Sequence, residues 1–515
     1  MKIRLIAPFS QGVRLALQSP TFSSPRIHLP QPSAFAAGVL ITTSLCLSGC
    51  LHTPVPDLKP AVPEQWQHGI GYPVAATMPS PDLEHWWFVF HAPDLDAMVA
   101  QALRGNLDLA AAGERIHAAR IVADHSQDSF LPEVHLRTDD IPSPNGTSSY
   151  FRAGGDVTWE LGLFGKRQAA EQIAHSELSQ LQDQAQMAKV TLVAEVVRDW
   201  IALRTAQAQL QLLTQAQATT AQQYHLQQSR VALGLDAPTS ILPLDTQTHQ
   251  QQALIGAKQL EIEQALEQLA LLQGLVKPDP AWRATTTAPV LGTLPVVSVP
   301  ADLIRIRPDI RQAEAEVWQA TGELATARAE RLPSVTLFAS YMYSLQLIGR
   351  FSLHNISHNL TVNGVAVVGP SIDIPLFDWG RRKAAASAKG AALNAAVFSY
   401  RQTVLTAVHE VESALAAVST GQARVTNQSA IVATAAQAMS KQQQMTQLGL
   451  SSNLDGLNQQ QNQIQAQIDL IDAQQSEALA YVGLYKAFGG APLTDTPVPA
   501  QPNVAAATHS SGTGG

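Results

Sequence analysis

Cysteine is nearly missing from this chain. Among 515 residues only Cys46 and Cys50 carry a thiol. If processing removes everything before Cys50, one thiol remains, and a disulfide or a thiolate metal site has no material to be built from. Aromatic residues make up 6% and charged residues 14%, while alanine and glutamine are abundant. That composition is poor for a thick globular core and good for long helices in close contact. Basic clusters are absent from a chain of net charge −8, which argues against a nucleic-acid partner. Beyond Leu47 no apolar run is long enough for a transmembrane helix. If the chain crosses a membrane, it does so with strands in a closed barrel. Catalytic signatures are missing too. The histidines are scattered without a His-Glu-x-x-His, and no glycine-rich loop joins a strand to a helix. Met78, Met98, Met187, Met342, Met439 and Met445 do not cluster into a copper path. His85 and His91, beside Trp86-Trp87, read as polar packing ahead of a metal pair. No enzymatic activity, cofactor or metal is expected.

What the chain does contain is itself, twice. Gly165-Lys166-Arg167-Gln168-Ala169-Ala170 recurs as Gly380-Arg381-Arg382-Lys383-Ala384-Ala385, 215 positions on. At the same offset Leu233-Gly234-Leu235 falls on Leu448-Gly449-Leu450, and Gly274 on Gly489. Upstream, Leu131-Pro132 recurs as Leu332-Pro333 and Asn106-Leu107-Asp108-Leu109 as Arg307-Pro308-Asp309-Ile310, both at an offset of 201. The second copy therefore carries a longer segment between Pro333 and Gly380. Copies of about 200 residues are too long for a solenoid unit and read as a duplicated domain.

The N-terminus carries an address. Lys2, Arg4, Arg14 and Arg26 precede an apolar run from Ala34 to Leu47, which ends in Leu47-Ser48-Gly49-Cys50. Basic residues, a short apolar stretch and small residues before a cut describe an export signal. The last four residues resemble a bacterial lipobox, with Cys50 as the lipidated first residue of the mature chain. By the same resemblance, Leu51 in place of an aspartate favours outer-membrane sorting.

Hydrophobic spacing predicts the elements. Residues 51–81 are proline-punctuated and read as an extended strap, followed by the aromatic anchor Trp86-Trp87-Phe88-Val89-Phe90. A helix from Asp94 to about Phe130 is broken near Gly105-Asn106, and Pro132 ends it. Two alternating segments follow. In the second, Phe151, Ala153, Val157, Trp159 and Leu161 fall on one face, and Arg152, Asp156, Thr158 and Glu160 on the other. Such faces suit a barrel wall with lipid outside and water inside, and equally a half-buried soluble hairpin. A long helix then runs from Gly165 to about Leu233, roughly 100 Å at 1.5 Å per residue. A turn at Leu233-Gly234-Leu235-Asp236 follows, with Thr239 or Ser240 as cap, and a return helix of half the length reaches about Gly274. After a Pro/Thr-rich linker the pattern repeats. A helix spans Ala301 to Arg331, with strands Val335 to Leu345 and Gly364 to Phe377. Between them lies a longer loop holding Asn355, Asn359 and Asn363. A second long helix from Gly380 to Leu448, a turn from Gly449 to Asp455 and a return helix to about Phe488 complete the copy. Two short helices stacked end to end would match one long helix. The fold class is α+β and internally duplicated. Four strands cannot close a barrel, so closure needs several copies.

Taken together these pieces resemble the TolC-type outer-membrane efflux family, in its OprM- or NodT-like lipoprotein branch. The residues that carry the likeness are the lipobox at Cys50, Trp86-Trp87 with Pro93-Asp94-Leu95, Asn106 to Leu109 and Leu131-Pro132. Arg305 to Ile310, Leu376-Phe377-Asp378-Trp379-Gly380 and the two glycine turns complete the set. The resemblance covers Cys50 to Gly490. It implies a signal peptide over 1–49, an anchor and strap over 50–93, repeats at 94–276 and 301–490 around a linker at 277–300, and a disordered tail at 491–515. It further implies a homotrimer with a twelve-stranded transmembrane β-barrel, continuous with a periplasmic α-helical barrel and anchored in outer-membrane lipid. That duct would receive drugs or toxic compounds from an inner-membrane pump through a periplasmic adaptor. By the same analogy, Leu233, Gly234, Leu235 and Asp236 with Leu448, Gly449, Leu450 and Asp455 form the periplasmic tips and the adaptor contact. Relatives often gate the second tip with Arg-Tyr before the glycine and Asp after it; here Met445-Thr446 and Asn458 stand in those places. Asp236 and Asp455 read as pore-mouth acids or as helix-cap carboxylates. Two alternatives stay open: an exit duct for protein secretion, and a poreless periplasmic tether, which predicts no strands.

Overall fold

A computed structural model describes residues 58, 66, 83–142, 148–284, 288–292, 306–352 and 355–490. The export signal, Cys50, most of the strap, much of the linker and the tail lie outside these residues. Seven helices of eight residues or more and four strands follow one another in two matching rounds among the described residues. The first holds α1 (Pro93–Gly105), α2 (Leu107–Asp124), β1 (Glu133–Pro142), β2 (Ser148–Glu160), α3 (Lys166–Ala232) and α4 (Leu242–Leu272). The second holds α5 (Pro308–Ala329), β3 (Ser334–Ser352), β4 (Asn355–Asp373), α6 (Arg381–Gln447) and α7 (Asn453–Ala487).

The helix break expected near Gly105-Asn106 falls at Asn106, which turns extended and caps α2 by accepting from Leu109 N. Its side-chain amide also donates to Leu272 O at 3.0 Å, seating the start of α2 on the end of α4. The second round repeats the joint with other chemistry. Arg307, at the position matching Asn106, donates to Ala487 O, which matches Leu272. Arg307 also bridges Asp309 and Glu410, each at 2.7 Å, so this joint is tied to α6 as well. Two short helices thus do stack end to end against a long one. Along α3, Gln172 and Gln180 bond to Trp318 O and Gln319 of α5, and further down Thr220 and Gln223 meet Gln461 and Asn458 of α7. The first joint leaves no space. A Cβ on Gly274, which has φ +69°, would stand 2.3 Å from Gly105 O.

Because α3 is packed by α2, α4, α5 and α7, its buried surface is wider than one apolar stripe. Gln186, Gln207, Gln209, Gln223 and Gln227 are buried. Gln209 and Gln223 donate across the helix interface to Asp472 and Asn458, and Gln207 donates to Trp282 O, which satisfies amide N–H groups that burial would otherwise penalise. The apolar core centres on Trp86, Trp200, Ile201, Leu203, Leu266, Tyr481 and Leu484. Trp86 donates to Gly490 O at 3.2 Å, so the aromatic anchor pins the chain's early segment to the end of α7. A second cluster joins Ile310, Val317 and Leu324 to Leu393, Tyr400 and Val404.

The four strands form one antiparallel sheet in sequence order. Facing partners share a side of an antiparallel sheet. Val134, Val157, Ala339 and Val368 make one row, and Leu136, Gly155, Tyr341 and Ala366 the next. On the other side His135, Asp156, Ser340 and Val367 align. The first hairpin keeps the expected alternation; the second is looser, with Phe338, Val365 and Val367 on the polar side. The second hairpin also corrects the sequence reading. Its strands are longer than predicted, and Asn355, Asn359 and Asn363 lie inside β4 rather than in a loop. Asparagine is a turn former, yet here the segment pairs residue for residue with β3, and that backbone pairing overrides the local preference. β4 ends at Asp373, short of the predicted Phe377, because β3 begins at Ser334, the partner of Asp373.

Candidate functional site: the two helix-hairpin tips

Each round ends its long helix the same way. Gly234 takes φ +71° and Gly449 φ +72°, a left-handed conformation that costs an L-side chain strain and that glycine adopts freely. The amide of Leu235 bonds back to Arg230 O and that of Leu450 to Met445 O, both at 2.9 Å, closing matching turns. The flanking leucines point outward. Leu233 is 75% exposed, Leu235 63%, Leu448 73% and Leu450 69%. Seven of the eight predicted tip residues are therefore on two like turns, four of them exposed leucines at the ends of the hairpins, and Asp455 lies in the first turn of α7.

The acids are not alike. Asp236 accepts from Arg230 Nε at 2.6 Å and from Gln227 at 2.8 Å. Hydrogen bonding from Arg230, then from Gln227, holds its carboxyl below the ordinary aspartate value. Asp455 closes a capping box: its amide donates to the Ser452 hydroxyl at 3.1 Å, and its carboxylate accepts from Ser452 N at 3.1 Å. The Ser452 hydroxyl and amide, and then Ser451, lower the Asp455 carboxyl. Asp455 also reinforces the raised pKa of Arg230, whose main partner is Asp236.

The cap expected from Thr239 or Ser240 is not formed. Pro238–Ile241 makes a 3₁₀ turn that runs straight into α4, and α4 has no side-chain cap. Ser240 instead donates to Ala237 O and accepts from Gln227. Asn458 accepts from Gln223 at 2.9 Å, an α3–α7 contact. Between the tips, His225 and Leu226 of α3 face Met439, Thr446 and Leu457 across a groove of about 830 Å³. Arg230 and Gln227 were missed from the sequence, and the second copy repeats only the glutamine. Arg230 occupies the place of Met445, Gln227 that of Gln442 and Asp236 that of Ser451. Gln442 bonds to Ser451, as Gln227 does to Asp236. The first tip is charged where the second is neutral.

Sheet, long helices and paired tips now stand beside known proteins. The profile described as outer membrane efflux protein matches residues 98–275 and 299–490. The chain belongs to this family. Members are channels rather than enzymes, and this one is an outer-membrane efflux protein extending into the periplasm. It is 26% identical over 473 residues to the pyoverdine export outer membrane protein OpmQ of Pseudomonas aeruginosa, spanning 88% of this chain and 96% of that one. It is 27% identical over 469 residues to the probable efflux pump outer membrane protein TtgC of Pseudomonas putida, spanning 88% and 94%. Nodulation protein T of Rhizobium leguminosarum bv. viciae is 28% identical over 468 residues, spanning 88% and 93%. Among solved structures, the outer-membrane channel OprN superposes with a TM-score of 0.70 at 25% identity, over 85% of this chain and 99% of that one. The open state of the Neisseria gonorrhoeae MtrE channel has the same fold, with a TM-score of 0.70 at 23% identity over 86% and 99%. The tether alternative, which predicted no strands, does not describe this efflux protein.

Proposed function

We propose that three copies of this chain form the exit duct of a tripartite efflux system, passing small molecules from an inner-membrane pump and periplasmic adaptor to the outside. The observation that carries this reading is the sheet. Four strands with one apolar face, unpaired outer edges at β1 and β4, and direct continuation into helices of about 100 Å make a third of a pore and not a closed domain. Relatives named for export of pyoverdine and toluene support small-molecule cargo. In this reading residues 1–49 are removed on export and Cys50 takes the lipid. Residues 94–276 and 301–490 are the two efflux repeats, each supplying one hairpin to the barrel and one to the helical tube. Leu233, Leu235, Leu448 and Leu450 are the adaptor's apolar contacts, with Asp236 and Asp455 fixing the turns that present them. The test is the mass of the detergent-purified chain together with palmitate labelling. A trimer whose label vanishes in Cys50→Ser is expected; a monomer, or label retained by Cys50→Ser, would overturn the corresponding part.

A further inference from the structure

The internal duplication specifies a contact that no single chain contains. Along β1 and β2 the register sets Glu133 against Thr158, and along β3 and β4 it sets Ser334 against Asp373. Moving β1 onto β3 by the sequence offset of 201 carries β2 onto β4 by 215, the offset of the helices that follow. The two hairpins are therefore equivalent residue for residue at the helix-proximal end of the sheet. One joint between hairpins is visible: β2 pairs with β3, with Asp156 against Ser340 and Thr158 against Phe338. Applying the same two offsets to that joint gives the other one. We propose that in the assembly β4 continues past Asp373 to Leu376 and pairs with β1 of the next protomer, so that Asp373 faces the partner's Arg137, Ile374 the partner's Leu136 and Leu376 the partner's Val134. This rests on the trimeric duct reading and adds its register.

Three independent features fit. The apolar partners fall on the apolar face: Leu136 is 86% exposed, Val134 75%, Ile374 55% and Leu376 89%, all uncovered on the lone chain. A slip of one residue would send each of them to the polar side. On that polar side the register opposes unlike charges, Arg137 and Asp373; the Asp373 side chain is 74% exposed and stands 4.0 Å from Arg382 of its own chain, so the partner's arginine would add a second cation beside it. Finally, Pro375 has no N–H to give a ladder. Leu161 N donates to Val335 O, so odd-numbered β2 residues are the hydrogen-bonded ones opposite β3. Pro375 matches Glu160, a non-hydrogen-bonded site, where a missing donor leaves the joint intact.

Cysteine pairs read this register directly, since the only natural thiols are Cys46 and Cys50. Arg137→Cys with Asp373→Cys occupies a non-hydrogen-bonded pair, with Cα atoms about 4.5 Å apart, within disulfide range. Mild oxidation of this full-length variant is expected to give a covalent trimer on denaturing gels. Arg137→Cys with Ser371→Cys, and Asp139→Cys with Asp373→Cys, share the face but are displaced by two residues; they are expected to close at least tenfold more slowly. Faster closure of either displaced pair overturns the register. A trimer by mass that none of the three pairs cross-links also overturns it and leaves the duct reading standing, whereas a monomer before oxidation removes the trimer beneath both. As a second readout, Arg137→Asp and Asp373→Arg should each lower the temperature at which the trimer dissociates, and the double variant should restore it. Additive losses in the double variant contradict the pairing.

Discussion

Asp183 is the residue at which burial and charge oppose each other most clearly. Its side chain is 4% exposed and pairs with Arg311. Burial raises its carboxyl above the ordinary 3.8, and the attraction of Arg311 only partly offsets that. A raised carboxyl pKa means that the fold favours the protonated form, so the ionised group at neutral pH subtracts stability. Asp183→Asn is therefore expected to raise the melting temperature at pH 7, with the gain shrinking as the pH is lowered through the raised pKa. A lower melting temperature at pH 7 would show that the Arg311 pair outweighs burial. Asp236 has the opposite sign. Its lowered pKa stabilises the folded tip above the ordinary aspartate value, and that contribution is lost as the pH falls through the lowered one. Arg230→Ala should accordingly speed amide exchange across 227–241 and leave 442–455 near its original rate, since Gln442, Ser451, Ser452 and Asp455 close the second tip among themselves. Equal loosening of both tips would contradict that division. At this scale the glycine turns were legible because left-handed backbone selects glycine. The charged lock on Asp236 was not, because an arginine six residues away on a helix gives no local sign that it folds back.

Among the elements, the ends of the two long helices were legible to within a residue or two where glycine marks them, at Gly165, Gly234, Gly380 and Gly449, whereas α2 ends at Asp124, ahead of the predicted Phe130, and α5 starts at Pro308 rather than Ala301. The end-to-end joints were expected only from helix lengths; what makes them, Asn106 on Leu272 and Arg307 on Ala487, lies 166 and 180 residues apart in the chain. The second hairpin was misread because its asparagines signal turns, while pairing across two strands is not a local property. The first joint can be tested against a tip as its own control. Gly274 and Gly234 share a positive φ, but a Cβ on Gly274 would meet Gly105 O at 2.3 Å and one on Gly234 meets nothing within 4 Å. Gly234→Ala is expected to cost about 1–2 kcal/mol for its backbone conformation alone. Gly274→Ala should cost a further ~1–3 kcal/mol through overpacking. Equal melting temperatures for the two variants would mean that the joint yields and is not close-packed.

For the whole molecule, the duplication explains most of the architecture. One hairpin of strands and one of helices per repeat are doubled in the chain; tripled in the proposed assembly, they would give a barrel wall and a tube from the same plan. The composition fits that plan: alanine allows close helix packing, and the glutamines of α3 serve as bonds between helices. The central claim is that this plan encloses a continuous aqueous path. It is tested most directly by planar-bilayer conductance of the purified, lipidated protein, with its mass measured in the same preparation. Discrete single-channel steps from a trimer are the expected result. A monomer or dimer that never conducts, at any voltage or salt concentration, would contradict it.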